Sequence, residues 1–89
     1  MHPRFKDPQM EQVISRLIKS LMAGEGVTYQ ELSQRLAQRS VDQNEVTLRG
    51  KINNGSMGSP LFLHILLALD EESLDLTLVD SKFRKSKAR

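Results

Sequence analysis

Apolar residues recur along the chain at the three-and-four spacing of helices, and the segments that carry them are bounded by start and stop signals. Met10, Val13, Ile14, Leu17, Ile18 and Leu21 form the first stripe. Asp7-Pro8 stands before it as an N-cap followed by proline at the first helical position, which predicts a helix of roughly four turns. It should stop at Ala23-Gly24-Glu25-Gly26, where glycine closes a helix in the left-handed conformation. Thr28-Tyr29-Gln30-Glu31 is a capping box: the threonine hydroxyl accepts from the third helical amide while the glutamate reaches back. The second helix it opens has Tyr29, Leu32, Leu36 and Ala37 on its inner face.

A third helix starts at Asp42 or Asn44, both competent caps, and runs to Asn53 or Asn54, with Gly55 as its stop and Val41, Leu48 and Ile52 inward. Ser59-Pro60 opens a fourth over residues 61–72, apolar almost all the way round and so expected at the centre of the core. Leu74-Asp75-Leu76-Thr77-Leu78 alternates and reads as a short strand. A lone strand leaves its backbone groups unpaired, so it must join another chain or a second copy, or else extend a helix. The fold class predicted is all-α: a small four- or five-helix bundle with a helix-turn-helix, plus a short C-terminal strand if residues 74–78 pair.

The 89 residues allow one small domain. We divide them into an N-terminal arm (1–7), a helix-turn-helix-like domain (8–80) and a basic tail (81–89) expected to be disordered. With no cysteine, neither disulfides nor a thiolate metal site can hold the fold, which fits a reducing interior. The longest apolar run, residues 61–69, contains His64 and falls short of the ~20 residues a span requires, and no signal-peptide pattern precedes it. A cytoplasmic bacterial protein without a membrane partner is therefore expected.

Net charge is only +2, from 13 Lys and Arg against 11 Asp and Glu. Its distribution says more, because the tail after Asp80 carries five bases, among them Lys82, Arg84 and Lys85, and no acid. Such a tail suits a polyanion partner, and equally suits a solvated terminus.

Little of this composition suits catalysis. Two histidines, one of them near the N-terminus, give no metal cluster and no His-centred triad. Glu71 and Glu72 sit at the end of the predicted fourth helix and read as a solvated face. Gly50-Lys51 lacks the rest of a phosphate-binding loop: Ile52 stands where Ser or Thr would hold a metal, and Glu45 replaces the first glycine. Gly55-Ser56-Met57-Gly58 matches the GxxG loop of KH domains, but those need a three-stranded sheet that this chain does not offer. No catalytic residue, cofactor or metal is expected, and the chain is read as a non-enzyme.

The third helix is a better candidate. With Leu48 and Ile52 inward, its opposite face receives Gln43, Val46, Thr47, Gly50, Asn53 and Asn54, flanked by Arg49 and Lys51. Amides can pair with adenine, Thr or Val can touch a thymine methyl, and Arg or Lys can reach guanine or phosphate. An exposed face this poor in acids and rich in amides suits duplex DNA.

Two segments carry a resemblance. VTYQELSQRLA at residues 27–37 and LRGKINNGSM at residues 48–57 resemble a short bacterial family described as a domain of unknown function. Its pattern is Thr-Tyr-x-Glu-Leu-x-x-x-Leu, then Glu-x-x-Leu-Arg-x-Lys-hydrophobic-x-x-Gly, then a hydrophobic helix, and here it covers residues 27–69. The resemblance implies a fold like the lambda-repressor-like helix-turn-helix class and implies no activity. Gly50, Asn54 and Met57 depart from the family's frequent Asn, basic and aromatic residues, and the interval from Leu36 to Leu48 is several residues longer than in the usual motif.

The expectation is sequence-preferring binding to double-stranded DNA by a small transcriptional regulator, with helix 42–54 in the major groove. Gln43, Thr47, Arg49, Lys51, Asn53 and Asn54 would make contacts from that helix, and Arg35, Arg39, Lys82, Arg84 and Lys85 would bind phosphates. A homodimer joined through residues 74–78 would read half-sites ~34 Å apart. The alternative is a protein-interaction module of the same fold that does not read DNA.

Overall fold

The computed structural model describes residues 7–70 and 79–80. Within them the chain folds into α1 (Pro8–Glu25), α2 (Tyr29–Gln38), α3 (Glu45–Asn54) and α4 (Ser59–Ala68), with no strand among the described residues. The expected strand at residues 74–78, the basic tail and the first six residues of the arm lie outside that range.

Local signals set the helix starts. Asp7 Oδ1 accepts from the Met10 amide at 3.1 Å, and Pro8 follows at N1. Both halves of the Thr28 capping box form: Thr28 Oγ1 accepts from the Glu31 amide (3.1 Å), and Glu31 Oε1 accepts from the Thr28 amide (3.2 Å). At α3 the cap is Asn44, whose Oδ1 accepts from the Thr47 amide at 2.8 Å. Of the two caps expected, Asn44 is the one used, so Asp42 and Gln43 precede the helix and the bound of residue 42 for the reading helix lies three residues early.

A left-handed residue stands at or just past the end of each of the four helices. Gly26 (φ 68°) closes α1 and Gly55 (φ 64°) closes α3, as the glycines predict. Ser40 (φ 63°) lies just past α2 and Asp70 (φ 61°) just past α4. The last case corrects the sequence reading, which carried the fourth helix to residue 72. Short polar side chains tolerate the left-handed region better than most, so Asp70 can end the helix without a glycine.

The core is formed by Ile18 and Met22 of α1, Val27, Leu32 and Leu36 at α2, Leu48 and Ile52 of α3, and Ile65, Ala68 and Leu69 at α4. α3 packs against α1 and α2, while α4 packs against α2. The fourth helix is thus an outer layer and not the expected hub. Apolarity around its whole circumference does not mean burial on every side, because Leu63 and Leu67 remain 55% and 48% exposed. Ala37, expected inside, is also exposed.

Two long-range contacts fix α3. Ser15 Oγ, buried on α1, donates to the Asn53 carbonyl at 3.2 Å, so an α3 carbonyl near the C-terminal end finds its partner on another helix. Gly55 lies so close to α1 that a Cβ there would overlap the Glu11 carbonyl oxygen and fall 2.6 Å from its carbon. At the other end Ser33 Oγ of α2 donates to the Gln43 carbonyl at 2.5 Å and pins the loop that leads into α3.

Candidate functional site

Packing α3 through Leu48 and Ile52 leaves a continuous outward face. Val46, Thr47, Arg49, Gly50, Asn53 and Asn54 are exposed, Val46 at 76%, and no acid is among them. The helix's one acid, Glu45, is half-buried and forms an ion pair with Arg49 at 2.8 Å. Arg49 also lies over the Tyr29 ring, its guanidinium carbon 5.3 Å from the centroid, so α2 and the start of α3 hold it from two sides.

Gly50 is at the middle of this face. Its φ is not in the left-handed region, and a Cβ built on it would meet nothing within 4 Å. Neither the backbone nor the packing of the described chain demands glycine there, although an interior helical glycine costs about 0.5–1 kcal/mol relative to alanine. Gly55 is the opposite case, where both requirements hold.

The site residues expected from sequence separate into groups. Thr47, Arg49, Asn53 and Asn54 share the exposed face with Gly50 and Val46. Lys51 borders it, half-buried, with Nζ donating to Gln43 Oε1 at 3.2 Å. Gln43 is not on the helix at all. It is half-buried in the preceding loop, its carbonyl and its side-chain oxygen both occupied, and its assignment to the face followed from starting the helix too early.

Arg35 and Arg39 point elsewhere. On α2, Tyr29 and Ser33 are directed at α3, and residues two and six further along lie on the far side of a helix that turns 100° per residue. Arg35 donates from Nη1 to the Ala68 carbonyl at the end of α4 (3.0 Å) and sits 3.6 Å from Glu25 Oε1 at the end of α1. A cation at that carbonyl satisfies an orphan acceptor and matches the helix dipole. Arg39 Nε donates to His64 Nδ1 at 3.5 Å, and His64 is half-buried at the edge of α4. Both arginines therefore have intramolecular partners away from the α3 face. Lys82, Arg84 and Lys85 lie outside the described residues.

What sequence reasoning missed is the support for the face. Tyr29 was assigned to the core, and Ser15 was given no role. A serine flanked by Val13, Ile14, Leu17 and Ile18 signals a buried hydroxyl with a partner, although nothing in the sequence names Asn53 as that partner.

An open cleft of about 470 Å³ lies beside the face where the end of α1 meets the starts of α2 and α3, with Lys19, Met22, Val27, Tyr29 and Arg49 among its lining residues. Arg49 is already engaged by Glu45 and Tyr29. Among the described residues no group of three or more His, Cys, Asp or Glu could hold a metal ion, and no helix is long and apolar enough to cross a membrane.

A family described as a domain of unknown function, DUF6471, matches residues 10–74. The chain belongs to this family. The DUF6471 match is wider than the resemblance read from residues 27–69, because it takes in nearly all of α1 and so the whole four-helix unit. No curated protein and no solved structure matches the chain. Membership of DUF6471 brings with it no tie to lambda-repressor-like domains.

Proposed function

We propose that this DUF6471 domain binds double-stranded DNA by laying the outward face of α3 in the major groove, as a helix-turn-helix regulator of the lambda-repressor-like kind would. The observation that carries the reading is the composition of that face. It is exposed, free of acids and rich in amides, with a helical glycine at its centre that the described chain does not need. Thr47, Asn53 and Asn54 have the hydrogen-bonding groups that read base edges, and Val46 and the Thr47 methyl suit a thymine methyl. Lys51 and Arg49 at the border suit phosphate. Gly50 lets the helix backbone approach the duplex.

The rigid setting favours this use. Asn44 caps the start of α3, Ser15 and Gly55 seat its end on α1, and Ser33 ties down the entering loop, so the face is presented without ordering cost on binding. The loop between α2 and α3 spans six residues, 39–44, longer than the usual three or four, so contact positions follow from the exposed face and not from counting along the motif. Arg35 and Arg39 are left out of the contact set because they are directed toward α4, away from the α3 face.

Gly50→Ala tests the reading with effects of opposite sign. The variant should be more stable by about 0.5–1 kcal/mol in urea unfolding, and should bind a duplex selected from genomic fragments about tenfold more weakly, which is ~1.4 kcal/mol. A stabilised variant with unchanged affinity would remove Gly50 from the interface. Failure of the parent chain to bind any duplex at ~50 mM salt would remove the DNA reading itself. The alternative of a protein-interaction module has one observation in its favour, the 76% exposure of Val46 on the same face. It predicts a partner whose affinity responds to Val46→Ser and hardly at all to salt.

A further inference from the structure

The exposed residues of the segment from Ser59 to Asp70 are Ser59, Pro60, Leu63, Leu67 and Asp70, and every other residue in it is buried or half-buried. The series 60, 63, 67, 70 advances by three, four and three, so these positions form one straight stripe along the side of α4 that faces away from the bundle. Two leucines occupy its centre, 55% and 48% exposed. α4 carries no acid and no base in its first or last turn, although charged residues make up 27% of the chain.

The two ends of the stripe differ. At the N-terminus Gly58 occupies the cap position, and no side chain accepts from the first-turn amides. Pro60 has no amide to offer, which leaves the positive end of the helix dipole without an anion of its own. At the other end stands an exposed carboxylate, Asp70, just beyond the last turn.

We propose that this stripe is the contact surface for a second copy of the same chain, with the two α4 helices antiparallel about a two-fold axis. In such a pair, residues whose numbers sum to 130 lie opposite one another. Leu63 then meets Leu67 of the partner subunit, and Asp70 lies against the partner's uncapped first turn, beside Pro60. Both ends are matched twice by the symmetry, and the stripe itself has no charged residue between its ends; Arg35 and Arg39 of α2 line the cleft beside Leu67 and Asp70, at its carboxylate end. An isologous contact is thus the occupant whose charge pattern the stripe fits. This surface is on α4 and not at residues 74–78, where sequence reasoning put a dimer contact, and the inference does not depend on the DNA reading.

One face of a three-turn helix is smaller than the ~800 Å² per partner of a standard interface, so the dimer should be weak and reversible. Sedimentation equilibrium of the full chain from ~10 µM to ~1 mM measures it. Reversible dimerisation is expected, with Leu63→Glu/Leu67→Glu monomeric across the whole range and still helical by far-UV circular dichroism. Asp70→Asn should weaken association about three- to tenfold while leaving the fold intact. A parent chain that stays monomeric at ~1 mM would overturn the proposal. So would a Leu63→Glu/Leu67→Glu variant that dimerises like the parent, or one that is monomeric beside a monomeric parent but loses its helix signal, which would place the stripe under another part of its own chain.

Discussion

Gly55→Ala should destabilise the domain by about 3–5 kcal/mol, among the largest effects expected of a single methyl group. Two costs combine at this position. The residue holds φ 64°, where an L side chain costs roughly 1–2 kcal/mol, and its added Cβ would overlap the carbonyl of Glu11. The obstacle is backbone on α1, which cannot rotate away as a flexible side chain can, so α3 must lift off α1 and loosen Leu48 and Ile52. Gly26→Ala separates the two costs, because Gly26 has nearly the same φ, 68°, with nothing within 4 Å of its Cβ. It should lose only about 1 kcal/mol. An 89-residue domain has a total stability of roughly 4–13 kcal/mol on a per-residue scale. Urea unfolding followed by circular dichroism should therefore find Gly26→Ala folded and Gly55→Ala near the edge of folding at 37 °C. Equal losses at the two glycines would mean that α3 is not seated on α1 as described.

The second large effect concerns binding. Replacing Thr47 and Asn53 together by glutamate should reduce affinity for duplex DNA by about 100-fold or more, because two anions would then face a surface with one phosphate charge per ~1.7 Å. The fold should tolerate the change. Both positions are exposed, the Asn53 contact to Ser15 uses the backbone carbonyl, and the dipole favours a carboxylate at Thr47, third in α3, about as much as it disfavours one at Asn53 in the last turn. Stability should stay within about 0.5 kcal/mol of the parent. Ser20→Glu/Gln38→Glu, equal in charge and placed on exposed sites of α1 and α2, should bind within a few-fold of the parent. Anisotropy titrations of a labelled duplex decide between the outcomes. If both pairs weaken binding equally, the effect is one of net charge and α3 has no special place in it.

Much of this architecture was legible in the residues, and the reason is local. Asp7-Pro8, the Thr28 to Glu31 box and the glycines at 26 and 55 act within one helical turn of themselves, so their meaning does not depend on the rest of the fold. The stop at Asp70 was missed because an aspartate enters the left-handed region without announcing it as glycine does. The place of α4 was missed because hydropathy states what a helix could bury and not which neighbours are present to bury it. In the candidate site the exposed face of α3 followed from the spacing of Leu48 and Ile52. Gln43 was misplaced by uncertainty between two good caps, Asp42 and Asn44. Arg35 and Arg39 look like phosphate ligands in any linear reading, and only the packing of α2 on α4 reveals the Ala68 carbonyl and His64 as their partners. No periodicity reports an acceptor 33 residues away.

The central claim, that α3 meets the duplex through its outward face and border cations, is tested most directly by the salt dependence of binding for the parent and for Lys51→Ala. The Lys51 ammonium is held by an uncharged amide, Gln43 Oε1, and so keeps its full charge for a phosphate. A plot of log K against log salt should fall with a slope of about −0.9 per neutralised phosphate, and Lys51→Ala should make the slope shallower by about one unit. Parallel lines for the two proteins, or a parent chain that binds no duplex at ~50 mM salt, would contradict the account.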